Sequence, residues 1–368
     1  MRIILVDSFY PINSRNRKIV ESLQKRFSNA TIDVVTWNRE NRTIQHQDSG
    51  YKVYDKYSPS GQLWKKLLNL YGYYLFLKQI LHTYNYDIII ASHWDMLLLM
   101  ALLKKKKQIL IYENLDIPTS YNRVLLWILL KVERAALLKC DAIIFASRFF
   151  APLYDWYDGK KFILENKSTN NDPNECEILK DCTDKPFVVA YIGLVRYIDI
   201  LKNLVDAVRQ LPNVILKIHG DGQDVIALKD YTKDMVNVEF TGRYDQTQLS
   251  GLYADADLIW AAYPNKDYNV KYAISNKFHE SIVYRKPCIF ANNTKLGDLV
   301  VSKQIGLIVD PYNTRDIYDV LNCAIANRSQ LEMIKSNLKE YSMQEQNWGE
   351  QFDDVSKYIH AVEINNKL

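Results

Sequence analysis

Ala273-Ile-Ser-Asn-Lys-Phe-His-Glu-Ser-Ile-Val-Tyr-Arg-Lys-Pro-Cys-Ile-Phe290 reads as a helix followed by a buried strand, with room for an anion at the helix start. Ser275 or Asn276 can cap this helix, Lys277 sets a cation beside the free backbone N–H groups, and Glu280 follows three residues later on the same side. Free amides and the positive end of the helix dipole attract phosphate. A carboxylate one turn in can accept hydrogen bonds from both hydroxyls of a ribose, so a nucleoside diphosphate fits the pattern. By itself the segment reads equally as a capping box, in which Glu280 only satisfies backbone donors. The rest of the chain has to decide between the two.

At 368 residues the chain is long for one core and suits two domains. Nearly half of it is apolar, with 26 Tyr and 7 Trp, which excludes a disordered chain. The 47 Lys and Arg against 43 Asp and Glu leave a charge of +4, too mild to argue for nucleic acid. Five cysteines, Cys140, Cys176, Cys182, Cys288 and Cys323, are odd in number and lack metal-ligand spacing, which suggests a reducing compartment. Met1-Arg-Ile-Ile-Leu-Val-Asp7 enters a strand directly, without the pattern of a signal peptide, and no apolar run is long enough to span a bilayer. A cytoplasmic protein is expected.

Short β-branched runs alternate with longer helical patterns, the signature of parallel sheets covered by helices. The first half has candidate strands at Arg2–Val6, Thr31–Thr36, Asp87–Ala91, Gln108–Tyr112, Asp141–Ala146 and Phe162–Leu164, with helices at Arg15–Phe27, Gln62–His82, Asp95–Leu103 and Tyr121–Lys139. A polar stretch from Asn166 to Pro186 reads as a linker. The alternation restarts with strands at Phe187–Ile192, Val214–His219, Val238–Thr241, Leu258–Ala262, Pro287–Phe290 and Gly306–Ile308. Helices lie near Leu201–Gln210, Thr247–Ala254, Asn276–Tyr284 and Thr314–Asn327. The tail from Trp348 carries Phe352, Val355, Ile359 and Val362 at helical spacing. In open α/β sheets ligands bind at the carboxyl ends of the strands.

Five segments of the second half carry a more specific pattern. They are Val189-Ala-Tyr-Ile-Gly-Leu-Val-Arg196, Leu216-Lys-Ile-His-Gly-Asp-Gly222, Val238-Glu-Phe-Thr-Gly-Arg243, Leu249-Ser-Gly-Leu-Tyr-Ala-Asp-Ala-Asp257 and Asn276-Lys-Phe-His-Glu280 with Lys286-Pro287. In order and spacing they resemble the C-terminal domain of retaining GT-B glycosyltransferases of the family 4 (group 1) type, used in bacterial capsule and lipopolysaccharide synthesis. Asp87-Ile-Ile-Ile-Ala-Ser-His93, Tyr112-Glu-Asn-Leu-Asp-Ile-Pro118 and Asn166 are similar, more loosely, to segments of the first domain and to the crossover between domains. Tyr272 stands where many relatives have a Glu, Arg285 replaces a usual Gly, and Leu115 a common His.

The resemblance implies two doubly wound Rossmann-like α/β domains facing a cleft. Residues 1–165 would bind the acceptor, 166–186 would be the linker, 187–345 would bind the nucleotide sugar, and 346–368 would form a helix crossing back to the first domain. It implies transfer of a sugar from a UDP or GDP type donor to a glycan or lipid-linked acceptor with retention, and no separate cofactor. Its donor contacts fall on Gly193, Arg196, Lys202, Gly242, Arg243, Ser275, Asn276, Lys277 and Glu280.

Charge argues for the same roles. Departure of a nucleoside diphosphate puts negative charge on the leaving phosphate, which cations and helix amides stabilise. Arg196 and Lys277 stand where strands end and are assigned to it, although any one Lys or Arg is more often a solvated surface charge. His93, at a strand end, can bond a sugar hydroxyl or the acceptor, or cap a helix with Ser92 or Asp95 as partner. Asp116 can contact the acceptor or move a proton, or close an Asx turn. Asp255-Ala-Asp257 resembles a metal motif but belongs to a helix-to-strand turn, so no metal is expected.

The pattern Gln62–His82 carries Leu63, Trp64, Leu67, Leu68, Tyr71, Tyr74 and Leu75 at helical spacing, with Lys65 and Lys66 on the other side. It reads as a helix burying that stripe on the first sheet, or as a peripheral membrane contact to which Lys104–Lys107 would add charge. Two rival functions stay open: a non-catalytic nucleotide-sugar-binding partner protein, and a GT-B epimerase.

Overall fold

Arg2–Val6 (β1) is a run of Ile, Ile, Leu and Val in which all four are fully buried, as befits a parallel strand covered on both faces. The computed structural model describes residues 1–44, 50–58, 63–120, 122–168 and 185–367, without the side chains of 63–67 and 365–367. The chain divides into two compact units, Met1–Asn166 with Trp348–Leu368, and Lys167–Asn347.

In the first unit β1 is followed by α1 (Ser14–Arg26), β2 (Thr31–Asn38), β3 (Lys52–Asp55), α2 (Leu63–Thr83), β4 (Ile88–Ser92), α3 (Trp94–Leu103), β5 (Ile109–Asn114), α4 (Arg123–Leu137), β6 (Ala142–Phe145) and β7 (Lys160–Ile163). The seven strands pair in parallel in the order β3-β2-β1-β4-β5-β6-β7. Chain direction across the sheet reverses at β1, between β2 and β4, so the loops after β1 and β4 meet at the switch point.

The second unit runs through β8 (Phe187–Ile192), α5 (Ile198–Val208), β9 (Val214–His219), α6 (Val225–Tyr231), β10 (Val238–Gly242), α7 (Leu249–Ala254), β11 (Leu258–Trp260), α8 (Tyr268–Tyr272), α9 (Asn276–Val283), β12 (Cys288–Ala291), α10 (Lys295–Lys303), β13 (Leu307–Val309), α11 (Thr314–Ala326) and α12 (Arg328–Gln344). Its six parallel strands take the order β10-β9-β8-β11-β12-β13, with the switch point at β8. The tail helix α13 (Trp348–Lys367) belongs to the first unit. There Trp348, Phe352, Val355 and Ile359 are buried with Ile19 and Leu23 of α1, and the Trp348 indole N–H donates to Ser22 at 2.9 Å.

Several sequence expectations change. The edge strand β3 and the helices α6, α8, α10 and α12 were not read from the pattern. Most of the linker, 169–184, and the side chains of Leu63, Trp64, Lys65, Lys66 and Leu67 lie outside the described residues. In the described part of α2 the stripe faces outward: Leu68, Tyr71 and Leu75 are exposed, and Tyr73, Leu77, Ile80 and Leu81 cover the sheet instead. The helix is apolar on two sides, and the sheet takes the side carrying Tyr73, whose hydroxyl bonds the Asp7 carbonyl at 2.9 Å.

Candidate functional site

Three glycines close the carboxyl ends of three adjacent strands in the second unit. Gly193 after β8, Gly220 after β9 and Gly242 ending β10 have φ of 142°, 140° and 77°, angles that side-chain-bearing residues rarely adopt. They are joined through the backbone: Gly193 N–H donates to the His219 carbonyl at 2.8 Å, and Gly220 N–H to the Gly242 carbonyl at 2.7 Å. A Cβ on Gly220 would stand 1.8 Å from the Gly193 oxygen, and one on Gly222 2.2 Å from the Val195 oxygen. The result is a backbone-lined floor at the switch point of this sheet.

The helix α9 brings its charged pair to that floor. A Cβ on Gly193 would meet the Lys277 side chain at 3.9 Å, which sets the two side by side. Lys277 is buried, with its ammonium 2.5 Å from Glu280 Oε2, and the Tyr253 hydroxyl donates to the same oxygen at 2.6 Å. Tyr253 in turn stacks on Tyr284, their centroids 4.6 Å apart. No capping box forms: with Ser275 at the N-cap the third helical residue is Phe278, and Glu280, two residues further on, is engaged by Lys277 and Tyr253 instead. Ser275 is the N-cap by position, but its side chain makes no capping bond and its Oγ is buried without a partner; Asn276 is the first helical residue and is exposed.

The remaining donor-side residues are distributed differently. Arg196 is exposed just beyond the Gly193 loop, its guanidinium 4.7 Å from the Tyr197 ring, and it has no ion-pair partner among the described residues. Tyr197 itself is left-handed, with φ of 67°, at the start of α5. Lys202 makes its contact elsewhere, with its ammonium 5.0 Å over Tyr231. Arg243 is exposed and bonds Asp221 at 2.8 Å, which holds that carboxyl below the usual range. His219 Nδ1 meets the Thr241 hydroxyl at 2.8 Å, and burial lowers its affinity for a proton. Tyr272 packs on Tyr268, with centroids 5.3 Å apart.

The first unit has its own polar centre at the switch point of its sheet. His93 begins α3 with φ of 72° and ψ of 155°, an unusual backbone for a residue with a side chain. Its ring meets Phe9 edge-on at 5.7 Å and makes no capping bond. Neither expected partner is at hand, because Ser92 bonds Asn16 and Glu113, and Asp95 pairs with Arg39 at 3.1 Å. Beneath lie Asp7, Asn16, Ser92, Glu113 and Arg15, all buried. Asn16 donates to Asp7 at 2.7 Å and to Ser92 at 2.9 Å, and Arg15 pairs with Glu113 at 2.7 Å. Burial pushes the Asp7 carboxyl up to about 6, against the pull of His93 and Asn16. Sequence reasoning missed this group, since a lone Asp after a strand looks like an ordinary surface residue; the signal available was its position at the end of β1. Asp116 is exposed in the loop after β5.

Comparison with known proteins agrees with this geometry. Residues 186–327 match the family model described as glycosyl transferases group 1. No curated protein matches the chain in sequence. Among solved structures, sucrose-phosphate synthase from Thermosynechococcus elongatus is similar, with a TM-score of 0.76 and 17% identity over 98% of this chain and 99% of that one. Anabaena HepE, solved with UDP, gives a TM-score of 0.70 and 16% identity over 98% of this chain and 100% of that one. WaaG, a glycosyltransferase involved in lipopolysaccharide biosynthesis, gives 0.68 and 14% over 96% and 98%. Residues 186–327 are therefore similar to the group 1 glycosyltransferase domain, and the two parallel α/β units have the GT-B fold.

Proposed function

We propose that the protein transfers a sugar from a nucleoside diphosphate donor, of UDP or GDP type, to a glycan or lipid-linked acceptor in bacterial surface polysaccharide synthesis, in the cytoplasm. The observation that carries this reading is the meeting of the Gly193 loop with Lys277 and Glu280 at the switch point of the second unit. Backbone glycines allow a phosphate to come close, the Lys277 cation and the amides starting α9 answer its charge, and Glu280 offers an acceptor to ribose hydroxyls. HepE, which has the same fold, was solved with UDP and with UDP-glucose, and that supports a nucleotide-sugar donor.

In this mechanism Arg196 and Lys277 stabilise the charge on the departing diphosphate, so that the reaction proceeds without a metal, and with retention at the anomeric carbon. Asn276, Ser275, Gly242 and Arg243 frame the donor, with Lys202 as a more remote cation. His93 and Asp116 serve the acceptor or a sugar hydroxyl from the first unit.

A screen of UDP and GDP sugars tests the proposal, reading released nucleotide with and without glycan and lipid-linked acceptor fractions. One donor should give acceptor-dependent release. Nucleotide binding with no release from any donor would favour a non-catalytic binding protein, the reading that Tyr272, standing where relatives have Glu, keeps in view. Acceptor-independent conversion of the donor sugar would favour an epimerase.

A further inference from the structure

The loop after β1 holds an aromatic side chain in the open. Phe9 is 44% exposed at the switch point of the first sheet, where ligands of open α/β folds bind. Its backbone is fixed on both sides: the Phe9 N–H donates to Asp7 Oδ1 at 3.0 Å, and the Phe9 carbonyl accepts from the Thr36 hydroxyl. The ring is fixed as well, with the Arg39 guanidinium 4.9 Å from its centroid and His93 meeting it edge-on. Arg39 is itself buried, lies 4.1 Å from the Trp37 ring and pairs with Asp95, so it makes a rigid backing.

A single exposed apolar residue is common and needs no explanation. What sets Phe9 apart is the polar company around it. Ser8 Oγ and Arg39 Nε are buried, and neither has a hydrogen-bond partner among the described residues. The His93 ring makes no capping bond, although its backbone, with φ of 72° and ψ of 155°, takes a geometry that costs stability. Buried polar atoms are ordinarily bonded within the fold, so these groups stand ready for a ligand.

We infer that Phe9 is the platform for a neutral sugar ring of the acceptor, with Ser8, Arg39 and His93 bonding its hydroxyls. A pyranose has C–H groups on its faces, which pack on an aromatic ring, and hydroxyls around its edge that donate and accept. Asp95 answers the charge of Arg39, so the site suits a neutral ligand better than an anion. A lipid chain seated there would leave the polar groups unbonded. The inference rests on the transferase reading and narrows it: the acceptor already carries a sugar beside the point of transfer, so an earlier glycosyl transfer must have supplied it.

The test is saturation-transfer NMR of the full-length protein with methyl glycosides of the common hexoses, deoxyhexoses and N-acetylhexosamines, and with uridine, in the absence of any donor. Phe9→Leu, Phe9→Ala and Phe9→Tyr accompany wild type. At least one glycoside should receive saturation at its ring C–H protons. Its dissociation constant should rise about tenfold in Phe9→Leu and in Phe9→Ala, the loss of one aromatic contact. Phe9→Tyr keeps the flat ring and should bind as wild type does, which a merely structural role for bulk would not require. UDP affinity should stay the same in all three, because the donor residues belong to the other unit. No glycoside contact, a Leu variant that binds like wild type, or a Phe9-dependent signal from uridine instead of the glycosides overturns the inference. The two readings fail separately. Phe9-dependent glycoside binding in a protein that transfers from no donor leaves a sugar site without a transferase, whereas turnover with an acceptor KM unchanged in Phe9→Leu removes the platform alone.

Discussion

Lys277 holds Glu280 one turn along the same helix, with its ammonium 2.5 Å from Oε2. Tyr253 donates to that oxygen as well, at 2.6 Å, so the carboxylate is fixed and Oε1 is left to accept from a ligand. Glu280→Gln keeps an acceptor for Tyr253 but removes the charge and leaves the buried Lys277 cation unpaired. It should weaken nucleotide binding by roughly 2 to 3 kcal/mol and lower the melting temperature. Calorimetry with UDP and with GDP reads the first effect, and a variant that binds as tightly as the parent removes Glu280 from the ribose.

The glycine floor makes a sharper structural prediction. In Gly220→Ala the new methyl stands 1.8 Å from the Gly193 oxygen at a φ of 140°, so the two strand ends must separate. Roughly 3 kcal/mol or more of stability should be lost. Gly251, inside α7 with nothing within 4 Å of its Cβ position, is the control, and Gly251→Ala should gain up to about 1 kcal/mol. Urea midpoints compare the two, and equal effects would mean that the floor is not close-packed.

Two buried carboxyls of the first unit make its stability depend on pH. Burial raises Asp7 to about 6 from an ordinary 3.8, and Glu133 to about 7 from 4.5, the latter against hydrogen bonds from Tyr154 and Tyr112. Both hold a proton more tightly when folded. Their contribution therefore favours folding at low pH, fades from about pH 4 upward, and is gone above about pH 7. Wild type should lose stability across that window. Glu133→Gln, still accepting from both tyrosines, should flatten the loss by on the order of 3 kcal/mol; an unchanged pH profile would show that Glu133 does not titrate there.

Much of the fold is legible because its strands are short runs of Val, Ile and Leu between polar turns. Phe187–Ile192 and Val214–His219 form over the residues their pattern predicts. Lys52–Asp55 escaped because an edge strand with few apolar residues has no distinguishing pattern. In α2 helical spacing identified an apolar stripe but not the side that faces the sheet, since Tyr73, Leu77 and Ile80 share that spacing with Leu68, Tyr71 and Leu75. The same limit applies to the site. The approach of Lys277 and Glu280 is a local matter of three residues, whereas Gly220 under Gly193, and Asp7 beside Asn16 and Ser92, depend on strand order that no local pattern encodes.

Arg196 is exposed, stacked on Tyr197 and without an ion-pair partner among the described residues, so it can be removed without disturbing the fold. The most direct test of sugar transfer is therefore the mass of an acceptor glycan or lipid incubated with a nucleotide sugar and either wild type or Arg196→Met. Wild type should add one sugar residue per transfer. Arg196→Met should do so about a hundredfold more slowly at an unchanged melting temperature, as for loss of one charge-stabilising donor. An acceptor whose mass never changes with any UDP or GDP sugar, or an Arg196→Met variant as fast as wild type, would contradict the account.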